Sequence, residues 1–96
     1  MPRPREKPPR TPELGALGLA VEKLREERGD TQETVGEKTF GDHHLTGPIE
    51  RGHRNPTFMT LVKVAEALDS SPSEIVSLAD RYLEEGKVER VGKSAG

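Results

Sequence analysis

Residues 31–57 read Thr31-Gln32-Glu33-Thr34-Val35-Gly36-Glu37-Lys38-Thr39-Phe40-Gly41-Asp42-His43-His44-Leu45-Thr46-Gly47-Pro48-Ile49-Glu50-Arg51-Gly52-His53-Arg54-Asn55-Pro56-Thr57. Asp30 or Thr31 can cap a short helix through Gln32, Glu33, Val35 and Lys38, because either side chain can accept from an unpaired N–H of the first turn. Phe40-Gly41 then reads as a tight turn. Asp42 can cap a second short helix toward Glu50, with Gly52 just past its end. Asn55-Pro56-Thr57 reads as a loop and a new helix start. Pro48 constrains the second helix. Counted from an Asp42 cap it falls in the second turn, where the lost N–H and the push on the His44 carbonyl cost about 3 kcal/mol. Either the helix starts late, near Thr46 or Gly47, or it is bent.

Outward from this pair the pattern is helical on both sides. Thr11-Pro12-Glu13 is a start signal of hydroxyl cap, proline and first-turn acid. Leu14, Leu17, Val21 and Leu24 follow on one face, and Gly29 ends the helix. Phe58, Leu61, Val62, Ala65 and Leu68 form a fourth amphipathic stretch. Ser71-Pro72-Ser73-Glu74 opens a fifth as a capping box, lined by Ile75, Leu78, Ala79 and Tyr82. No stretch alternates in the manner of a strand. Four prolines in the first ten residues (2, 4, 8 and 9) exclude helix there and predict an extended, mobile segment. The expected organisation is a flexible basic arm over 1–11, an all-α domain of five helices over 12–84, and a flexible tail over 85–96.

Ninety-six residues with 30% hydrophobic and 33% charged side chains and a mean hydropathy of -0.77 allow one small core. The absence of cysteine excludes disulfides and cysteine-ligated zinc. No apolar run approaches the roughly 18 residues of a membrane span. The start is Pro- and Arg-rich without an apolar core, so no secretory signal is expected. A soluble, cytoplasmic chain with no membrane partner is the expectation. His43 and His44 are adjacent, so on a helix they diverge by about 100° and form no metal-binding face. There is no Gly-rich phosphate loop and no nucleophile elbow. We therefore expect no enzyme, no metal and no cofactor.

The net charge of -2 argues against a nucleic-acid partner until it is divided along the chain. Arg3, Arg5, Lys7 and Arg10 against Glu6 make the first ten residues basic. Residues 11–37 and 58–85 are acidic. Residues 38–57 carry Lys38, Arg51 and Arg54 against Asp42 and Glu50, together with all three histidines, His43, His44 and His53. A neutral-to-basic centre is thus hidden by two acidic flanks.

The strings Leu24-Arg25-Glu26-Glu27-Arg28-Gly29, Thr31-Gln32-Glu33, Ile49-Glu50-Arg51-Gly52, Arg54-Asn55-Pro56-Thr57, Thr60-Leu61, Ala65-Glu66-Ala67-Leu68 and Ser73-Glu74-Ile75 resemble the Cro/CI (Xre) helix-turn-helix family. With Leu17-Gly18 and Val21 the resemblance spans residues 17–75, and Gln32 stands 18 residues before Glu50. It implies a compact, five-helix, lambda-repressor-like fold. It also implies a sequence-specific DNA-binding transcriptional regulator of the phage-repressor type. The partner would be double-stranded DNA, met by a homodimer on two half-sites with the third helix in the major groove. Carried over residue by residue, the resemblance places Gln32 beside a phosphate and pairs Arg25 with Glu50 as a structural ion pair. It brings His43 and His44 to base edges, with Thr46 and Gly47 following. His53, Arg54 and Asn55 would run along the sugar-phosphate backbone, with Lys38 and Arg51 adding to them. The basic arm, residues 3–10 with Arg3 and Arg5, would reach around or into an adjacent groove, unless it is only a solubilising tail.

Several residues depart from the family pattern. Gly36 replaces the usual Ala. Phe40 stands where the turn glycine is usual, with Gly41 one place later. Thr46 occupies an aliphatic position, with Leu45 one place early. Together these suggest a shifted register between Lys38 and Ile49. Pro48, Gly47 and the acidic blocks leave an alternative: a protein-interaction module on the same fold, such as an antitoxin or a partner-binding regulator.

Overall fold

A computed structural model describes residues 7–88. Its five helices are α1 (Pro12–Arg28), α2 (Gln32–Phe40), α3 (Thr46–Glu50), α4 (Phe58–Ala67) and α5 (Pro72–Glu84), with no strand among the described residues. Four starts are fixed by hydroxyl caps. Thr11, Thr31, Thr57 and Ser71 each accept from the backbone N–H three residues on. The cap of α2 is Thr31; Asp30 instead accepts from Arg28 Nε at 3.0 Å. At α5 the capping box is half-formed. Ser71 caps Glu74, but the Glu74 carboxylate accepts from Ser70 Oγ at 2.8 Å.

Helix α1 packs mainly on α5 and α3, while α2 packs on α4. The fully buried face of α1 is Ala16, Ala20 and Val21, whereas Leu17, Leu19 and Leu24 are only partly buried against the core. The leucine spacing marked the right side of the helix but not its deepest line. Small residues lie deepest because neighbouring backbone comes close. A Cβ on Gly18 would strike the carbonyl oxygens of Ile49 and Glu50. Ile49, Ile75, Val21, Val35 and Val64 are the largest fully buried apolar side chains, with Leu45 and Leu68 nearly so.

The register between α2 and α3 follows the late-start reading. Phe40 is the last residue of α2, and Gly41 takes the left-handed conformation (φ 69°) that ends it. Asp42 does not start a helix. Its side chain accepts from the His44 N–H at 2.9 Å, and its carbonyl accepts from the Leu45 N–H at 3.2 Å, closing a turn over residues 42–45. Helix α3 then begins at Thr46, which puts Pro48 in its first turn, where a missing N–H is harmless.

The described residues on both flanks of the helices are packed against the body. Val88 is buried and would contact any side chain at Gly15, and Lys87 N–H donates to the Tyr82 carbonyl at 3.0 Å. The tail is therefore packed to residue 88. Residues 7–10 are likewise docked on the body, through Gly52 and His53. Arg3 and Arg5 lie outside the described residues.

Gly36 sits where the turn passes closest to α2, and a Cβ there would run into the Asp42 carbonyl oxygen. Helix propensity alone favours Gly36→Ala by about 1 kcal/mol. We expect the opposite sign, a loss of roughly 1–3 kcal/mol from overpacking, read as a lowered Tm.

Candidate nucleic-acid interface

Helices α1, α2 and α3 are joined behind the candidate surface through one carboxylate. Arg25 Nε donates to Glu50 Oε2 at 2.6 Å, and Arg25 Nη2 donates to Glu50 Oε1 at 3.0 Å. Gln32 Nε2 adds a bond to Oε1 at 2.8 Å, and Arg25 Nη1 donates to the Asp30 carbonyl at 2.9 Å. The Glu50 side chain is only 2% exposed, so the pair is a buried, bidentate, charge-assisted one. The hydrogen bond to Glu50 holds the Arg25 guanidinium above its ordinary value, against the opposing effect of burial. Nearby Glu22 is pushed above the usual carboxylate range, first by burial and then by Glu26 and Glu50, with Arg25 opposing.

Gln32 therefore has one arm in this network at the start of α2. Its Oε1 and the Arg51 guanidinium both lie over Gly47, 3.3 and 3.1 Å from where a Cβ would stand. The first-turn N–H groups of α2 lie beside them, a setting that favours an anion. Lys38 and His43 share a shallow groove with Glu33, Thr34 and Glu37. His43 pairs through Nε2 with the Glu37 carboxylate, and both side chains are more than half exposed. His44, Arg51, Arg54 and Asn55 are exposed. His53 is half-buried, and its Nε2 donates to the Lys7 carbonyl at 2.9 Å, which fixes the proton on that nitrogen.

Two expected contacts are corrected. Thr46 is 0% exposed and Gly47 is buried beneath the Gln32 and Arg51 side chains, so neither presents a side chain to a ligand. The late start of α3 causes this: Thr46 now begins the helix and points into the core with Ile49. The histidines lie not on α3 but in the turn before it. Sequence reasoning also missed Glu37 as the partner of His43, and the docking of residues 7–10 on the loop after α3.

The cations divide in a telling way. Lys23, Arg28 and Lys63 are paired with Glu27, Asp30 and Glu66, and Arg25 with Glu50. Among the described residues, Lys38, Arg51 and Arg54 have no acidic partner within 4.0 Å, and neither do Lys7, Arg10, Arg81 and Lys87. The unpaired charges of the α2–α4 region thus remain available to an outside anion.

No family model matches the chain. It is 39% identical over 64 residues to an uncharacterised HTH-type transcriptional regulator, y4dJ, of Sinorhizobium fredii, across 67% of this chain and 83% of that protein. The restriction-modification controller protein C.AhdI of Aeromonas hydrophila is 35% identical, with a TM-score of 0.63 over 66% of this chain and 96% of that one. C.Esp1396I bound to a 25 base pair operator site is 26% identical, with a TM-score of 0.67 over 75% and 95%. The chain belongs to the HTH-type transcriptional regulators, in their Cro/CI (Xre) form.

Thr46 Oγ1 is buried without a hydrogen-bond partner among the described residues. Valine has the same branching and removes the orphan hydroxyl, so Thr46→Val should gain about 1–3 kcal/mol. Thermal unfolding should show a raised Tm, with duplex affinity unchanged within about twofold.

Proposed function

We propose that this regulator binds double-stranded DNA through the turn of residues 42–45, the start of α2 and the loop after α3. The observation that carries the reading is the set of unpaired cations Lys38, Arg51 and Arg54 along α2 and the loop after α3, with Arg51 beside the anion-favouring start of α2, while Lys23, Arg25, Arg28 and Lys63 are engaged by acids. Arg51, Arg54 and Asn55, with half-buried His53, would follow the phosphates and set orientation. His43 and His44, in the exposed turn, would meet base edges, each able to donate to a guanine N7 or O6. The Glu37 carboxylate must release His43 or hold it in a fixed pose while it does so. Gln32, tied to Glu50, has one remaining amide hydrogen for a phosphate oxygen.

A homodimer belongs to the same proposal. A 25 base pair duplex, the length bound by C.Esp1396I, is about 85 Å long at 3.4 Å per base pair. That is about twice the 41 Å long axis of this chain, so such a site has room for two copies on two-fold half-sites. Protein contact in addition to DNA is favoured by Phe58 and Met59, which open α4 with 68% and 59% of their surface exposed.

Selection from random duplexes tests the reading. An enriched site is expected, with log affinity falling linearly with log salt. Arg54→Ala should reduce that slope by about 0.9 on every duplex. His44→Ala should instead flatten the site preference, removing about 1–3 kcal/mol of discrimination at one base pair. No enriched site and no salt-sensitive retention of any duplex would contradict the proposal.

A further inference from the structure

Residues 7–10 form an extended strap latched to the loop after α3 at three points. His53 Nε2 donates to the Lys7 carbonyl at 2.9 Å. Arg10 N–H donates to the Gly52 carbonyl at 2.9 Å. Between them the Pro9 ring sits in a socket made by two glycines. A Cβ on Gly15 would lie 2.9 Å from Pro9 Cγ, and one on Gly52 would lie 2.6 Å from Pro9 Cβ. The loop end is fixed in turn, with Gly52 N–H on the Ile49 carbonyl at 3.0 Å and His53 N–H on the Pro48 carbonyl at 2.9 Å. Strap, loop and the end of α3 are therefore one mechanical unit.

We infer that this latch makes Lys7 and Arg10 part of the phosphate-binding surface, and that Pro9, Gly15, Gly52 and His53 are its positioning residues. The inference rests on the DNA-binding reading above. Lys7 and Arg10 are exposed and have no acidic partner among the described residues, and their backbone is tied directly to the residues between Arg51 and Arg54. Pro8 and Pro9 offer no N–H, so the strap cannot pair as a strand along its length. Arg10 supplies its one loop-directed N–H, and the prolines hold the rest extended before any ligand arrives. A cation ordered in advance loses less entropy on binding than one on a free arm. The ligand is the phosphodiester chain of a duplex, met without regard to base sequence.

The test uses the full chain and two duplexes, one carrying the selected site and one of scrambled sequence. Affinity is measured across a salt series for the wild type and for Lys7→Ala/Arg10→Ala, alongside Tm. The double variant should lower the salt slope by about 1.8 on both duplexes, at about 0.9 per phosphate contact, with site preference and Tm unchanged. Exchange of the Arg10 amide hydrogen, followed by NMR, should stay slow or slow further in the complex. An unchanged slope in the double variant, with the wild type binding normally, overturns the inference and leaves the DNA-binding reading intact. So does faster Arg10 exchange in the complex, since the strap would then undock. A wild type that binds neither duplex overturns the reading itself, and the inference with it.

Discussion

The Glu50 carboxylate is the point on which the arrangement depends. Its two oxygens take three hydrogen bonds, from Arg25 Nε, Arg25 Nη2 and Gln32 Nε2, and so tie α1, α2 and α3 at one buried site. Helix α3 has five residues. A helix that short has no stability of its own, so its place is set by tertiary contacts. Ile49 in the core, the close approach of Gly18 and the Glu50 pairing supply them. Burying a carboxylate costs several kcal/mol, which only full hydrogen bonding and a paired cation offset. The gain is geometric: the turn before α3 and the loop after it leave a fixed platform in fixed directions.

Charge partition explains how an acidic chain can serve this purpose. The net -2 reflects acids that are either solvent-facing or already engaged with Lys23, Arg25, Arg28 and Lys63. Among the described residues the cations left over are Lys38, Arg51 and Arg54 in the candidate site, Lys7 and Arg10 on the strap, and Arg81 and Lys87 on and just beyond α5. A surface of so few free cations gives weak, salt-sensitive attraction to any duplex. Discrimination then falls to the exposed turn, and His43 enters it already coupled to Glu37.

Much of the fold was legible because its signals are local. Thr11, Thr31, Thr57 and Ser71 satisfy N–H groups three residues away, and Pro12, Pro72 and Gly29 mark boundaries by backbone geometry. The shifted register was legible too, since Pro48 and Gly41 each tolerate few positions. What sequence could not supply is set by distant backbone. Thr46 looks like a contact residue but is carried inward by the late helix start. On α1 Ala16 and Ala20 lie deeper than the leucines because α3 and α5 come close. The strap joins residues 46 positions apart, through His53 and Lys7, and nothing local announces such a bond. In the candidate site, the basic residues of the loop and the histidines of the turn were read in advance. Their partners, Glu37 and the strap, were not.

The role of Glu50 is tested most directly by thermal unfolding of Arg25→Met, Glu50→Leu and the double variant. Each single change strands a buried charge, at roughly 3–5 kcal/mol, and should lower Tm by at least about 12 °C. The double variant removes both charges together and should recover most of that loss. Single variants that melt near the wild type, or a double variant that loses the sum of both, would contradict the account.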